Sequence, residues 1–129
     1  MIVVDSSVWI AHLRDEATRQ ATILRDMSPS LIVVGDVILF EILKGLDAER
    51  QAEALERKFE DYGLVSMLDP ELARIGASNY RTLRRLGVTI RTTPDVIIAT
   101  YCIANGLELL HQDRDFDHFE QHLGLRVIH

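Results

Sequence analysis

The stretch Ile2-Val3-Val4-Asp5-Ser6-Ser7-Val8-Trp9-Ile10 decides the fold class of this chain. Three consecutive β-branched residues with no polar alternation read as a strand covered on both faces. Asp5 ends that strand, and Ser6 or Ser7 can cap a helix that runs to about residue 13. A buried strand that hands an acid to a helix start belongs to an open α/β sheet, where ligands bind beyond the carboxyl ends of the strands.

The rest of the chain repeats the pattern. Short apolar runs bounded by Gly, Asp or Pro fall at residues 31–34, 64–67, 107–110 and 126–128. Between them the periodicity predicts helices over 18–27, 37–44 and 48–62, the second capped by Asp36 and stopped by Gly45. Asp69-Pro70 opens a helix that stops at Gly87, and Thr93-Pro94 opens another that stops at Gly106. Apolar strands separated by helices predict a mostly parallel sheet of about five strands with helices on both faces.

With 129 residues and no repeat, low-complexity segment or linker, the chain reads as a single domain over 1–129. A domain of that size buries roughly two-thirds of the surface its unfolded chain exposes, so it needs no crosslink. The lone Cys102, in the run Ile97-Ile98-Ala99-Thr100-Tyr101-Cys102-Ile103-Ala104, reads as a small core hydrophobe. No secretory leader or membrane-length apolar run is present, which leads us to expect a cytoplasmic protein without a membrane partner. The net charge of −6 argues against a broad basic surface for nucleic acid. That objection weakens if the acids share one site and divalent cations supply the positive charge.

Four acids stand where such a site forms. Asp5 follows the first strand, Asp113 the fourth; Asp95 lies in the first turn of the helix leading into that fourth strand, and Glu41 midway along the helix after the second. Asp5, Asp95 and Asp113 have ordinary explanations as turn formers, caps or partners of a helix dipole. Glu41 interrupts Val37-Ile38-Leu39-Phe40 and Ile42-Leu43, so its helix is expected to be apolar nearly all round and largely buried. A buried carboxylate needs a partner or a metal. Lys44, three residues on, is the structural alternative. Gathered acids suit magnesium or manganese, hard cations that favour carboxylate oxygen and water.

Asp5-Ser6-Ser7-Val8-Trp9-Ile10, Phe40-Glu41-Ile42-Leu43-Lys44-Gly45, Pro94-Asp95-Val96-Ile97-Ile98-Ala99 and Leu110-His111-Gln112-Asp113-Arg114-Asp115-Phe116-Asp117 together resemble the four motifs of PIN-domain nucleases. In particular, they resemble the VapC toxins of bacterial VapBC toxin–antitoxin modules. No single motif is specific, but four in order and at the family's spacing are. The resemblance implies a three-layer α/β/α sandwich and Mg2+- or Mn2+-dependent endoribonuclease activity. It also implies homodimerisation and hetero-oligomeric inhibition by a VapB-type antitoxin. It assigns Asp5, Glu41, Asp95 and Asp113 to the acidic quartet and Asp115 to a fifth acid, with Asp5 and Asp95 as direct metal ligands. The mechanism it implies is water attack on RNA phosphorus that leaves a 3′-hydroxyl and a 5′-phosphate.

Ser6 stands where many relatives carry Thr; its hydroxyl is placed to orient Asp5 or a bound water, with helix capping as the alternative. Arg114, between two site acids, is a candidate for a substrate phosphate or for pairing with Asp113. Arg81, Arg84 and Arg85 share one helix side with Arg91 shortly after, and either contact RNA or suit the helix C-terminus. Trp9 reads first as core, and no histidine is assigned a catalytic role. Two rival classes are an aspartyl-phosphate hydrolase built on Asp5, which would carry a second Asp where this chain has Ser7, and a degenerate PIN domain that only binds.

Overall fold

Five short strands form one wholly parallel sheet in the order β3-β2-β1-β4-β5 in a computed structural model that describes residues 1–129. The strands are β1 (Ile2–Val4), β2 (Ile32–Gly35), β3 (Gly63–Val65), β4 (Glu108–Leu110) and β5 (Arg126–Val127). The helices are α1 (Ser6–Leu13), α2 (Arg19–Asp26), α3 (Asp36–Lys44), α4 (Glu49–Phe59), α5 (Pro70–Arg85), α6 (Thr93–Asn105) and α7 (Asp115–Leu123), with a single 3-10 turn at Pro29–Leu31.

The chain steps outward from β1 to β2 to β3, then returns to place β4 on the other side of β1. Because parallel crossovers are right-handed, that reversal puts α1–α4 on one face of the sheet and α5–α7 on the other. The helix contacts agree: α1 packs on α2 and α3, while α5, α6 and α7 pack on one another, and α3 touches α6 across the strand ends. The carboxyl ends of β1 and β4 therefore flank the point where strand order reverses, the crevice such sheets use for ligands. Register is tight there, with Val3 opposite Leu109 and Val4 opposite Leu110.

Burial explains the strand sequences. Val3, Val4, Val34, Leu109 and Leu110 are all fully buried within a core cluster of 24 residues, each worth roughly 1.5–3 kcal/mol on leaving water. Cys102 belongs to that core, and burial pushes its thiol up to about 12. Trp9 is core as well, edge-on to Phe59 at 4.8 Å between ring centroids. An added Cβ at Gly35 would lie 2.0 Å from the Met67 sulfur, so β2 can end against that buried side chain only without one of its own. No helix is long and apolar enough to cross a membrane.

Several local expectations are corrected. The cap of α1 is Asp5 rather than Ser6 or Ser7, because the Asp5 side chain, one residue before the helix, accepts the Ser7 N–H at 3.1 Å. Gly35, not Asp36, occupies the cap of α3; Asp36 lies in the first turn and accepts N–H groups from Val37 at 2.8 Å and Met67 at 3.0 Å. Thr92 rather than Thr93 precedes α6, leaving Pro94 in its first turn. The helix expected over 48–62 is shorter, Glu49–Phe59. Helix α7 was not expected: Phe116, Phe119 and Leu123 carry its apolar face, a short signal inside a segment dense in acids.

Helix α3 is not buried all round. Phe40 is 65% exposed, Lys44 is exposed and Glu41 is half-buried. Only Ile38 and Ile42 are fully packed, four residues apart on one stripe.

Candidate active site

The reversal point gathers all five acids at one end of the sheet. Asp5 leaves β1 with its backbone N–H bonded to the Leu110 carbonyl at 2.9 Å, so the adjacent strand fixes its position. One carboxylate oxygen, Oδ2, accepts from the Ser7 N–H and, at 2.6 Å, from the Ser7 hydroxyl. The Ser7 oxygen in turn accepts the Gln112 N–H at 3.1 Å, tying the end of β1 to the end of β4. The other oxygen, Oδ1, is buried and has no partner. Leaving a buried acceptor unmet costs about 1–3 kcal/mol, and here the orphaned atom belongs to an acid among acids.

Asp95, Asp113 and Asp115 each offer an oxygen, and these atoms lie within 4.8 Å of one another. Asp95 comes from the first turn of α6 and Asp115 from the first turn of α7, both buried; Asp113, half-buried, comes from the loop after β4. Helix N-termini favour carboxylates, which offsets part of the cost of holding them together. Asp113 Oδ1 accepts the Asp115 N–H at 2.9 Å, and the Asp113 N–H donates to His111 Nδ1 at 3.2 Å. The buried His111 thus acts as an acceptor that orients the loop, and burial pulls its imidazole below the usual histidine range.

Glu41 joins through Ser6: the Ser6 hydroxyl donates to Glu41 Oε1 at 3.1 Å. Ser6 therefore does not cap α1, and the Lys44 alternative does not form. None of the chain's ion pairs involves Glu41, and Lys44 Nζ instead sits 5.8 Å from the Phe40 ring centroid.

Crowding shows in the titration of the two most enclosed acids. Burial first, and then neighbouring Glu41, push Asp5 up to about 6. Asp95 rises to about 7, again chiefly through burial, with Asp5, Asp113 and Glu41 adding repulsion. A cation bound among these acids would favour the charged forms of Asp5 and Asp95.

The one cation paired with it is Arg91. Its Nε donates to Asp115 Oδ2 at 3.0 Å, its backbone N–H approaches the same oxygen at 3.4 Å, and a terminal nitrogen lies 3.5 Å from Asp113 Oδ1. Of the two roles open to Arg114, pairing with Asp113 does not form: Arg114 is exposed and unpaired, and Arg91 takes that place. Arg81 and Arg84 border a cavity of about 620 Å³ between α5 and α6 that Arg91 also lines, whereas Arg85 does not reach it. Ser7 and Arg91 are the site residues that sequence reasoning missed in these roles. From sequence Ser7 reads as a cap and Arg91 as an RNA contact or a helix C-terminal cation; the Gln112 contact of Ser7 and the Asp113 and Asp115 contacts of Arg91 come from distant parts of the chain.

The model of the PIN domain family matches residues 2–121. Ribonuclease VapC11 of Mycobacterium tuberculosis and VapC ribonuclease Mb1587 of Mycobacterium bovis are each 31% identical over 120 residues, covering 91% of this chain and 90% of theirs. Among solved structures, FitAcB from Neisseria gonorrhoeae superposes with a TM-score of 0.78 at 18% identity, covering 100% of this chain and 97% of the other. VapBC2 from Rickettsia felis, bound to a DNA fragment from its promoter, gives 0.75 at 15% identity, with 99% and 98% covered. These two likenesses concern the fold.

Proposed function

The chain belongs to the PIN-domain family, and from that premise we propose that residues 1–129 form one PIN domain that cleaves RNA as a divalent-metal-dependent endoribonuclease. The observation that carries this reading is the convergence of Asp95, Asp113 and Asp115 within 4.8 Å, beside the unpartnered buried oxygen of Asp5. The donor set is all carboxylate oxygen, which fits magnesium, or manganese in its place, and fits no soft metal.

Asp5 and Asp95 are the proposed direct ligands, with Asp113 and Asp115, whose oxygens lie within 4.8 Å of those of Asp95, proposed to complete the shell or orient its waters. When bound, the ion would screen the acids from RNA phosphate and lower the pKa of an attacking water. The chain's own part is positional. Ser7 fixes one oxygen of Asp5 and leaves the other free. Ser6 holds Glu41 by one oxygen, which leaves the second able to orient the water or accept its proton. In the proposed step water oxygen would bond to phosphorus while a proton passes to Glu41 or solvent, the P–O3′ bond would break, and the departing O3′ would take up a proton, giving a 5′-phosphate and a 3′-hydroxyl. No protein nucleophile takes part. The exposed Arg114 stands one residue from Asp113 and Asp115 and is proposed to meet a substrate phosphate.

The relatives' names extend the reading to biology. We propose that the chain is the toxin of a VapBC-type module, cytoplasmic, homodimeric, and held in a hetero-oligomer by a VapB-type antitoxin. The test is cleavage of RNA by purified protein in Mg2+ or Mn2+. The expected result is 5′-phosphorylated fragments that vanish with chelator. Fragments with 2′,3′-cyclic phosphate ends, or cleavage indifferent to chelator, would overturn the reading.

A further inference from the structure

Arg91 is tied to the acidic cluster in a way the cleavage chemistry does not require. Its guanidinium pairs with Asp115 at 3.0 Å and Asp113 at 3.5 Å, and its own backbone N–H is anchored at the same Asp115 oxygen. Yet the side chain is 63% exposed, while that of Asp115 is 11% exposed. A buried anion is thus met by a cation whose other face is open to solvent.

The two acids that Arg91 grips belong to the trio whose oxygens converge. A cation already sitting on those oxygens competes with any other cation that approaches them. A guanidinium is also a planar fork that matches phosphate as well as carboxylate. Arg91 also lines the cavity that Arg81 and Arg84 border, so an anionic strand lying there meets three arginines in a chain whose net charge is −6.

We infer that Arg91 is a positioning residue with two exchangeable partners: it is the counter-cation of Asp113 and Asp115 until a divalent ion takes that role, and it then offers its guanidinium to an RNA phosphate. The inference rests on the nuclease reading of the site. It makes metal entry and substrate grip opposed functions of one side chain, so removing that side chain moves the two in opposite directions.

The experiment compares wild type, Arg91→Gln and Arg91→Lys as full-length proteins. Mn2+ binding is followed by calorimetry without RNA, and RNA cleavage is measured at saturating Mn2+. Releasing an exposed pair should tighten Mn2+ binding by about threefold or more in Arg91→Gln. KM for RNA should rise about tenfold while kcat changes less, and Arg91→Lys should recover part of the RNA affinity. Mn2+ binding that is equal or weaker in Arg91→Gln, with wild type binding normally, overturns the exchange. An unchanged KM overturns the phosphate contact. Failure of the wild type to bind Mn2+ at all overturns the site reading, and this inference with it.

Discussion

Replacing Asp95 by Asn should make the metal-free protein more stable while destroying its activity. Asp95 is 6% exposed and its carboxyl is pushed up to about 7, against 3.8 for an ordinary Asp side chain. The sign follows from linkage: a carboxyl with a raised folded pKa contributes fully below about pH 3.8, and that contribution is lost as pH rises through about 7. At 1.36 kcal/mol per pH unit, Asp95 costs the folded state about 4 kcal/mol at pH 8, where it must be held ionised, and about 2 kcal/mol at pH 5, where folding must protonate it. Asn keeps the shape and cannot ionise. Urea denaturation in chelator should therefore show Asp95→Asn gaining stability over wild type, with the gain growing by about 2–3 kcal/mol from pH 5 to pH 8. His111 titrates in the opposite sense, since burial lowers its pKa, but it does so in both proteins and cancels in the difference. Millimolar Mn2+ should then stabilise wild type more than the variant. A gain that does not depend on pH, or a variant less stable than wild type at pH 8, would refute the reasoning.

Other consequences follow from named contacts. Ser7→Ala removes the hydroxyl that both holds Asp5 and receives the Gln112 N–H; it should cost about 1–3 kcal/mol in denaturation and lower kcat, with Ser7→Thr restoring part of both. Phe116 is fully buried and lies beside Asp115 at the start of α7, 4.9 Å from the His111 ring. Phe116→Ala should lose about 3–5 kcal/mol in denaturation and weaken Mn2+ affinity by calorimetry. Lys44→Ala should leave cleavage and stability near wild type, because Lys44 does not pair with Glu41.

The centre of the sheet was legible because β1, β2 and most of β4 are buried apolar runs, and because Asp69-Pro70 and Gly106 punctuate helices by fixed backbone geometry; the edge strands β3 and β5, expected to be buried, are exposed or half-buried instead. Asp5, Asp95, Asp113 and Glu41 were legible through their places relative to those strands. What local pattern could not convey was which side of α3 faces the sheet. Phe40 is apolar yet open, so Glu41 is less enclosed than its neighbours imply. Arg91 escaped because its contact with Asp115 spans 24 positions of chain, and Ser7 because its tie to Gln112 spans 105 while its local bond to Asp5 reads as ordinary helix capping. Helix α7 escaped because two buried phenylalanines and a half-buried leucine are few anchors among many polar residues.

The most direct test of the acidic cluster is RNA cleavage by a purified Asp5→Asn/Asp95→Asn double variant in Mg2+ or Mn2+, with folding checked by circular dichroism. The account predicts a folded protein with no cleavage and no Mn2+-dependent stabilisation. A folded double variant that still cuts RNA would contradict it.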